Sequence, residues 1–379
     1  MAESETPARV SKTMTTTVTD LVDLRRRLTE WLTAKTGGPA EVGELRRPGE
    51  TGMSSVSLLF DAAWTHEGER VERGLVARIP PDLDAYPVFP AYDLRRQHDV
   101  IATVAAHTDV PVPRLHWLEE SPDVLGSPFL VMERVEGRIP VDNPPYVFGG
   151  WLLDAGPDEQ REFQDATVRL LARVHALTDV RRRLPLLAAE AGADPLRQLV
   201  DDQRAYYEWT RAADGLRIPV IEDAFAWLEE HWPADPGEAV LCWGDARPGN
   251  VIYDGFRPVA VLDWEMCVLG PREVDLAWMV FLHRFFQDIA EVFEFPGIPG
   301  LFRASDAVAV YEQASGHTVR DFPFFLMYAA VRHAVIMSRI KRRMIHFGED
   351  AVPPTPDEYV LFHTLLRAMI DGRAEWMHA

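Results

Sequence analysis

The stretch Leu241-Cys242-Trp243-Gly244-Asp245-Ala246-Arg247-Pro248-Gly249-Asn250, continued by Val251-Ile252-Tyr253 and closed by Val259-Ala260-Val261-Leu262-Asp263-Trp264-Glu265, decides the reading of this chain. Two short apolar runs rich in β-branched residues each end beside a carboxylate, which predicts strands that present acids at their ends. An Asp, an Asn five residues later and a second Asp after a returning strand make a set whose oxygens suit a hard cation. Mg2+ takes carboxylate and amide oxygens, keeps several waters and is shared with substrate phosphates. Asn250 and Asp263 are its candidate ligands, which leaves Asp245 to receive a hydroxyl proton.

Together with Gly270-Pro271-Arg272-Glu273-Val274-Asp275-Leu276-Ala277, these residues resemble the aminoglycoside phosphotransferase family, whose fold is that of the protein kinases. The likeness runs from about Gly52 to the last helices. It implies an α+β, bilobal fold with a small antiparallel β-sheet lobe and a helical lobe. The expected division is a disordered tail over 1–19, an N-lobe over 20–135 (an N-terminal helix, a five-stranded sheet and one helix) and a helical C-lobe over 136–379 carrying the catalytic and metal loops. The implied reaction moves the γ-phosphate of ATP, or of GTP, to a hydroxyl of a small molecule. Antibiotics, with the resistance that follows, choline, sugars and hydroxyacyl thioesters are all acceptors in the family.

The resemblance also assigns roles. Asp245 is the base, Asn250 and Asp263 hold Mg2+, and Asp275 buttresses the catalytic loop. In the hinge, the Glu133 carbonyl and the Val135 amide meet adenine, with Met132 lining its pocket. Three positions depart from the family pattern. Arg78 ends the third strand, where a lysine usually contacts the α and β phosphates; a guanidinium holds phosphate oxygens bidentately with a different geometry. Gln97 falls where that lysine's glutamate partner sits, so the ion pair becomes an amide contact, with Asp99 as a possible substitute. Trp243 replaces a histidine that scaffolds the loop, and packing is expected to take over that task. A kinase-like binding module without transfer activity is the alternative from another class, against which retention of Asp245, Asn250 and Asp263 argues.

Composition narrows the partners. With 39 Lys and Arg against 59 Asp and Glu, the net charge of −20 repels phosphate backbones and anionic lipid and attracts a cationic small molecule. Neither nucleic acid nor membrane is an expected partner, and oligomeric state has no signature. Cys242 and Cys267 sit in apolar runs and read as buried thiols in a reducing compartment, with the cytoplasm as default. The longest apolar tracts, Val274 to Leu282 and Phe322 to Met337, are short of a membrane span or broken by Arg332 and His333.

Along the chain, Leu21, Leu24, Leu28, Trp31 and Leu32 mark an amphipathic helix. Gly52 allows close backbone approach to a phosphate, and Ser54 and Ser55 can donate to it, although a single Gly-x-Ser-Ser is also an ordinary hairpin turn. Strands are expected over Val56–Phe60, Gly74–Ile79, Arg114–Leu118 and Phe129–Glu133. Helices are expected over Tyr92–Ala106, Asp158–Leu177, Leu196–Ala213, Pro219–Trp232, Glu273–Phe286, Ala304–Gln313, Phe322–Ile345 and Glu358–Met377. Pro140 to Gly156 reads as an insertion able to cover a substrate cleft. His175 reads as packed or capping. Arg247 either reaches the transferring phosphoryl group or caps a neighbouring carboxylate. Lys341-Arg342-Arg343 reads as a solvated helix end, or as a basic patch for an acidic, CoA-like substrate.

Overall fold

The computed structural model describes residues 21–47, 55–81, 86–187 and 194–377; the expected tail, Gly52 and Ser54 lie outside them. Helix α1 (Leu21–Thr36) buries Leu24, Leu28, Trp31 and Leu32 on one stripe, as the 3.6-residue spacing requires. That stripe covers a sheet formed by β1 (Ala40–Val42), β2 (Val56–His66), β3 (Glu69–Ile79), β4 (Leu115–Glu119) and β5 (Phe129–Glu133) in the order β1-β2-β3-β5-β4, every pair antiparallel. Glu67 and Gly68, with φ of 51° and 85°, make the two-residue turn that matches strand twist, so β3 starts at Glu69 rather than at the expected Gly74. β1 completes the expected five strands, but no range was expected for it, because three residues are too few to show an alternation.

Alternation along β5 divides two cores. Phe129 and Val131 join the α1 side, whereas Leu130 and Met132 face α2 (Leu94–His107) and the main core. Asp93 caps α2 by accepting from the Arg96 amide at 2.9 Å. Past β5 the chain crosses to the helical part at Gly137, whose φ of 151° and close approach to the Tyr253 carbonyl exclude a side chain. Arg138 and Tyr253 then exchange backbone hydrogen bonds of 2.8 Å in both directions.

The helical part continues with α3 (Pro157–His175), α4 (Val180–Arg183), α5 (Pro195–Arg211) and α6 (Pro219–Glu230). Two small antiparallel pairs follow, β6 (Val240–Cys242) with β9 (Val268–Gly270) and β7 (Val251–Asp254) with β8 (Arg257–Val261). Then come α7 (Glu273–Val292), α8 (Ala304–Ser315), α9 (Phe322–His346) and α10 (His363–Ile370), with α7 packed on α9. The expected helix over Glu358–Met377 is broken: α10 begins only after Phe362 turns inward to stack on His333, with ring centroids 5.0 Å apart.

The basic run on α9 is neither a solvated end nor a free patch. Arg342 is buried and pairs with Asp214 at 2.7 Å, Lys341 pairs with Asp350 at 2.5 Å, and Arg343 donates to the Tyr86 carbonyl at 2.6 Å. Both cysteines are free and buried. Among the described residues, no helix is long and apolar enough to cross a membrane.

Candidate active site

The loop between β6 and β7 is held from beneath by Asp275 in the first turn of α7. Fully buried, its carboxylate accepts from the Trp243 amide at 2.6 Å and the Gly244 amide at 2.9 Å. His175, on α3, meets the same carboxylate at 3.2 Å through Nε2, while its Nδ1 lies 2.6 Å from the Tyr311 hydroxyl. Because a carboxylate only accepts, Nε2 donates to Asp275, and Nδ1 shares a hydrogen bond with the tyrosine hydroxyl. His175, Cys242 and Asp275 lie close enough together to suggest a metal cluster, but the amide donors already occupy the carboxylate. Gly244, at φ 91°, passes so near the Met266 carbonyl that no Cβ fits.

This support presents Asp245. Its Oδ1 accepts from the Trp278 indole at 2.8 Å, and its Oδ2 accepts from Asn250 Nδ2 at 2.7 Å and Arg247 Nε at 2.9 Å. Oδ2 is therefore saturated, while Oδ1 keeps one lone pair. Burial, and then the negative charge of Asp263, push the Asp245 pKa up to about 6, which makes it a stronger proton acceptor than an ordinary aspartate. Because Asn250 spends its amide nitrogen on Asp245, its amide oxygen is left to offer to a cation.

The second acid stands on the turn after β8. Asp263 has φ 56°, a left-handed conformation that Asp tolerates better than most residues. The Trp243 indole donates to the carbonyls of Leu262 at 2.8 Å and Asp263 at 3.2 Å. Hydrogen bonding, and not packing alone, thus ties the loop after β6 to the turn after β8, where packing was expected to hold it.

Arg78 reaches both acids of this turn, Asp263 at 2.7 Å and Glu265 at 3.1 Å, and the two carboxylates hold its pKa above the ordinary value against burial. The expected contact with Gln97 is thereby corrected. Gln97 is buried in α2, and Asp99 pairs with its neighbour His98 at 2.9 Å. Ser55 Oγ donates to Glu265 at 3.4 Å, so the start of β2 also leans on this turn. Met132 is buried near the end of β5, and the Glu133 side chain pairs with Arg73 at 3.1 Å, leaving residues 133–135 as the crossover between the two parts.

Of the two readings of Arg247, the capping one is seen: it binds Asp245 through Nε and Asp142, from the 140–156 insertion, through Nη1. Sequence reasoning missed Trp278, Arg332, Asp142 and Glu265. Trp278 follows Asp275 by three positions on α7 and so shares its face, a usable signal. Arg332, buried on α9, donates to the Gly244 carbonyl at 2.9 Å and lies 4.7 Å from the Trp278 ring centre. Nothing local in the sequence announces it.

A family model described as the APH phosphotransferase enzyme family matches residues 61–297. An aminoglycoside phosphotransferase-like protein of Ralstonia eutropha superposes with a TM-score of 0.61 at 22% identity, over 93% of this chain and 98% of that one. Aminoglycoside phosphotransferase APH(4)-Ia, in a complex with ADP and hygromycin B, gives 0.55 at 15% identity over 92% and 98%. Plasmodium vivax ethanolamine kinase gives 0.54 at 12% identity over 86% and 82%. These likenesses show a kinase-like fold, with the antiparallel sheet and the helical part where the sequence led us to expect them. Among curated proteins, Arabidopsis thaliana probable acyl-CoA dehydrogenase IBR3 is 25% identical over 78% of this chain and 36% of its own length. Acyl-CoA dehydrogenase family member 11 of Gallus gallus is 29% identical over 68% and 33%. The chain thus spans about a third of the length of these relatives. Since the matched segment covers more than half of its residues, the chain belongs to the phosphotransferase enzyme family.

Proposed function

We propose that this protein transfers the γ-phosphoryl group of a nucleoside triphosphate, ATP in the first instance, to a hydroxyl of a small molecule. The observation that carries this reading is the state of Asp245: a buried carboxylate fixed by three donors, with one lone pair left and a second acid turned toward the same site. A module that only binds nucleotide has no use for such a proton acceptor. Asp245 Oδ1 accepts the acceptor's proton as its oxygen bonds to the γ-phosphorus and the bond to the β–γ bridging oxygen breaks, releasing ADP. The Asn250 amide oxygen and the Asp263 carboxylate, two hard donors on adjacent loops, fit Mg2+. When bound, it supplies charge neutralisation on the phosphates. Arg78 anchors the phosphate side, and Met132, Glu133 and Val135 receive the base.

For the acceptor we favour a hydroxyacyl thioester over an antibiotic. The curated relatives carry acyl-CoA dehydrogenase names, and the antibiotic kinases resemble this chain only in fold. The basic run on α9 lends no support to CoA binding, since its charges are engaged within the fold. Two free thiols fit a reducing compartment. The test is incubation with ATP and Mg2+ against hydroxyacyl-CoA thioesters, aminoglycosides and amino alcohols, with phosphate esters detected by 31P NMR. An ester formed by the wild type and not by Asp245→Asn is expected. ATP binding without any ester across the panel would favour the binding module.

A further inference from the structure

We propose that Asp142 is a positioning residue for phosphoryl transfer, holding Arg247 away from the one free lone pair of Asp245; this rests on the phosphotransferase reading above. The Arg247 guanidinium lies between two carboxylates, Nε on Asp245 Oδ2 and Nη1 on Asp142 Oδ2. Asp142 comes from the insertion after Gly137, more than a hundred residues earlier in the chain, and its Oδ1 is buried with no hydrogen-bond partner among the described residues. Among the described residues, Arg247 is thus the one cation that this carboxylate holds. The catalytic loop is shaped to admit it: a Cβ at position 249 would collide with the Asp142 carboxylate, so Gly249 leaves the space Asp142 occupies.

Arginine prefers to meet a carboxylate with two parallel N–H groups. Turned end-on to Asp245, with Nη1 and Nη2 on its two oxygens, the guanidinium would place an N–H on Oδ1, where Trp278 already donates, and would fill the lone pair that must receive the acceptor hydroxyl. Asp142 opposes this end-on fork by holding Nη1 for itself. Arg247 then contacts Asp245 through Nε alone, which steadies the base without covering it. The same anchor keeps the guanidinium in one orientation beside Asp245.

Two measurements test the assignment. In kinetics, Asp142→Ala is expected to lower kcat by about tenfold to a hundredfold, the cost of a blocked or misplaced base, with KM for ATP within about twofold of wild type. In an Arg247→Met background the same change is expected to have no further effect on kcat, because Asp142 acts through Arg247. An equal loss in that background, an unchanged kcat, or a rise in KM for ATP alone would overturn the proposal. The crystal structure of Asp142→Ala supplies a readout free of activity: Arg247 should turn onto both oxygens of Asp245. An unmoved Arg247 would refute the positioning role even if no acceptor is ever found, whereas a turned Arg247 in a protein without transfer activity would refute only the phosphotransferase reading.

Discussion

Replacing Asp275 by alanine removes the acceptor of two buried backbone amides, those of Trp243 and Gly244 at 2.6 and 2.9 Å. Each orphaned donor costs about 1–3 kcal/mol, and bonds to a charged acceptor lie toward the upper end. The sum, about 3–5 kcal/mol, is a large part of the 5–15 kcal/mol that typically separates native from unfolded chains. Asparagine keeps one acceptor oxygen but turns an NH2 group toward the second amide, so Asp275→Asn should lose about half as much. The assay is urea unfolding followed by the fluorescence of the 11 tryptophans, read as a shift in midpoint at constant slope. Alongside it, kcat should fall further than the stability loss explains, because Asp245 is carried on the loop that is released. A loss below about 1 kcal/mol for alanine, or equal losses for the two variants, would show that the loop does not depend on this carboxylate.

Further outcomes follow from the same geometry. Trp243→Phe removes the donor to the Leu262 and Asp263 carbonyls and should weaken ATP–Mg2+ binding about tenfold, whereas Trp243→His, which keeps a ring N–H, should weaken it less; equal losses would leave packing as the sole role. Arg78→Met should raise KM for ATP by more than about tenfold, while Arg78→Lys keeps the charge and one of its two partners and should fall in between. Burial holds His333 near pKa 3 and His283 near 4, so both stay neutral in the native state while the unfolded chain protonates them near 6.5. Their contribution is complete above about pH 6.5 and is lost as pH falls toward 4, by up to about 2.7 kcal/mol per unit for the pair. His333→Phe should flatten that decline, and unfolding curves at pH 7 and 5 would show whether it does.

The grouping of Asp245, Asn250, Asp263 and Asp275 was legible because they are contiguous: all lie within one βββα stretch whose spacing brings them together. Asp275 sits under the loop and His175 is packed, as the sequence suggested. What could not be read were partners brought from far along the chain. Trp278 was within reach of a helical-face argument, but Arg332 and Asp142 meet the loop only through the packing of α9 and of the insertion. The Arg78–Gln97 contact failed for a related reason. Aligning positions on α2 fixes which residue is buried, yet not whether a longer guanidinium finds stronger acceptors across the cleft, as it does at Asp263 and Glu265. Helix ends drifted little except at α7, which runs past the expected Phe286 to Val292, and after α9, where Phe362 exchanged helical continuity for burial against His333.

The central claim is tested most directly by thermal unfolding with ATP, with and without Mg2+, of the wild type and of Asp263→Asn. Asparagine is chosen because residue 263 has a left-handed backbone that it tolerates, so the variant changes charge without adding strain. At a hundred times its dissociation constant the nucleotide should stabilise the wild type by about 2.7 kcal/mol, a shift of several degrees that requires Mg2+ and shrinks sharply in the variant. Shifts of equal size with and without Mg2+, or equal in the two proteins, would contradict a metal-assisted phosphoryl-transfer site built on Asn250 and Asp263.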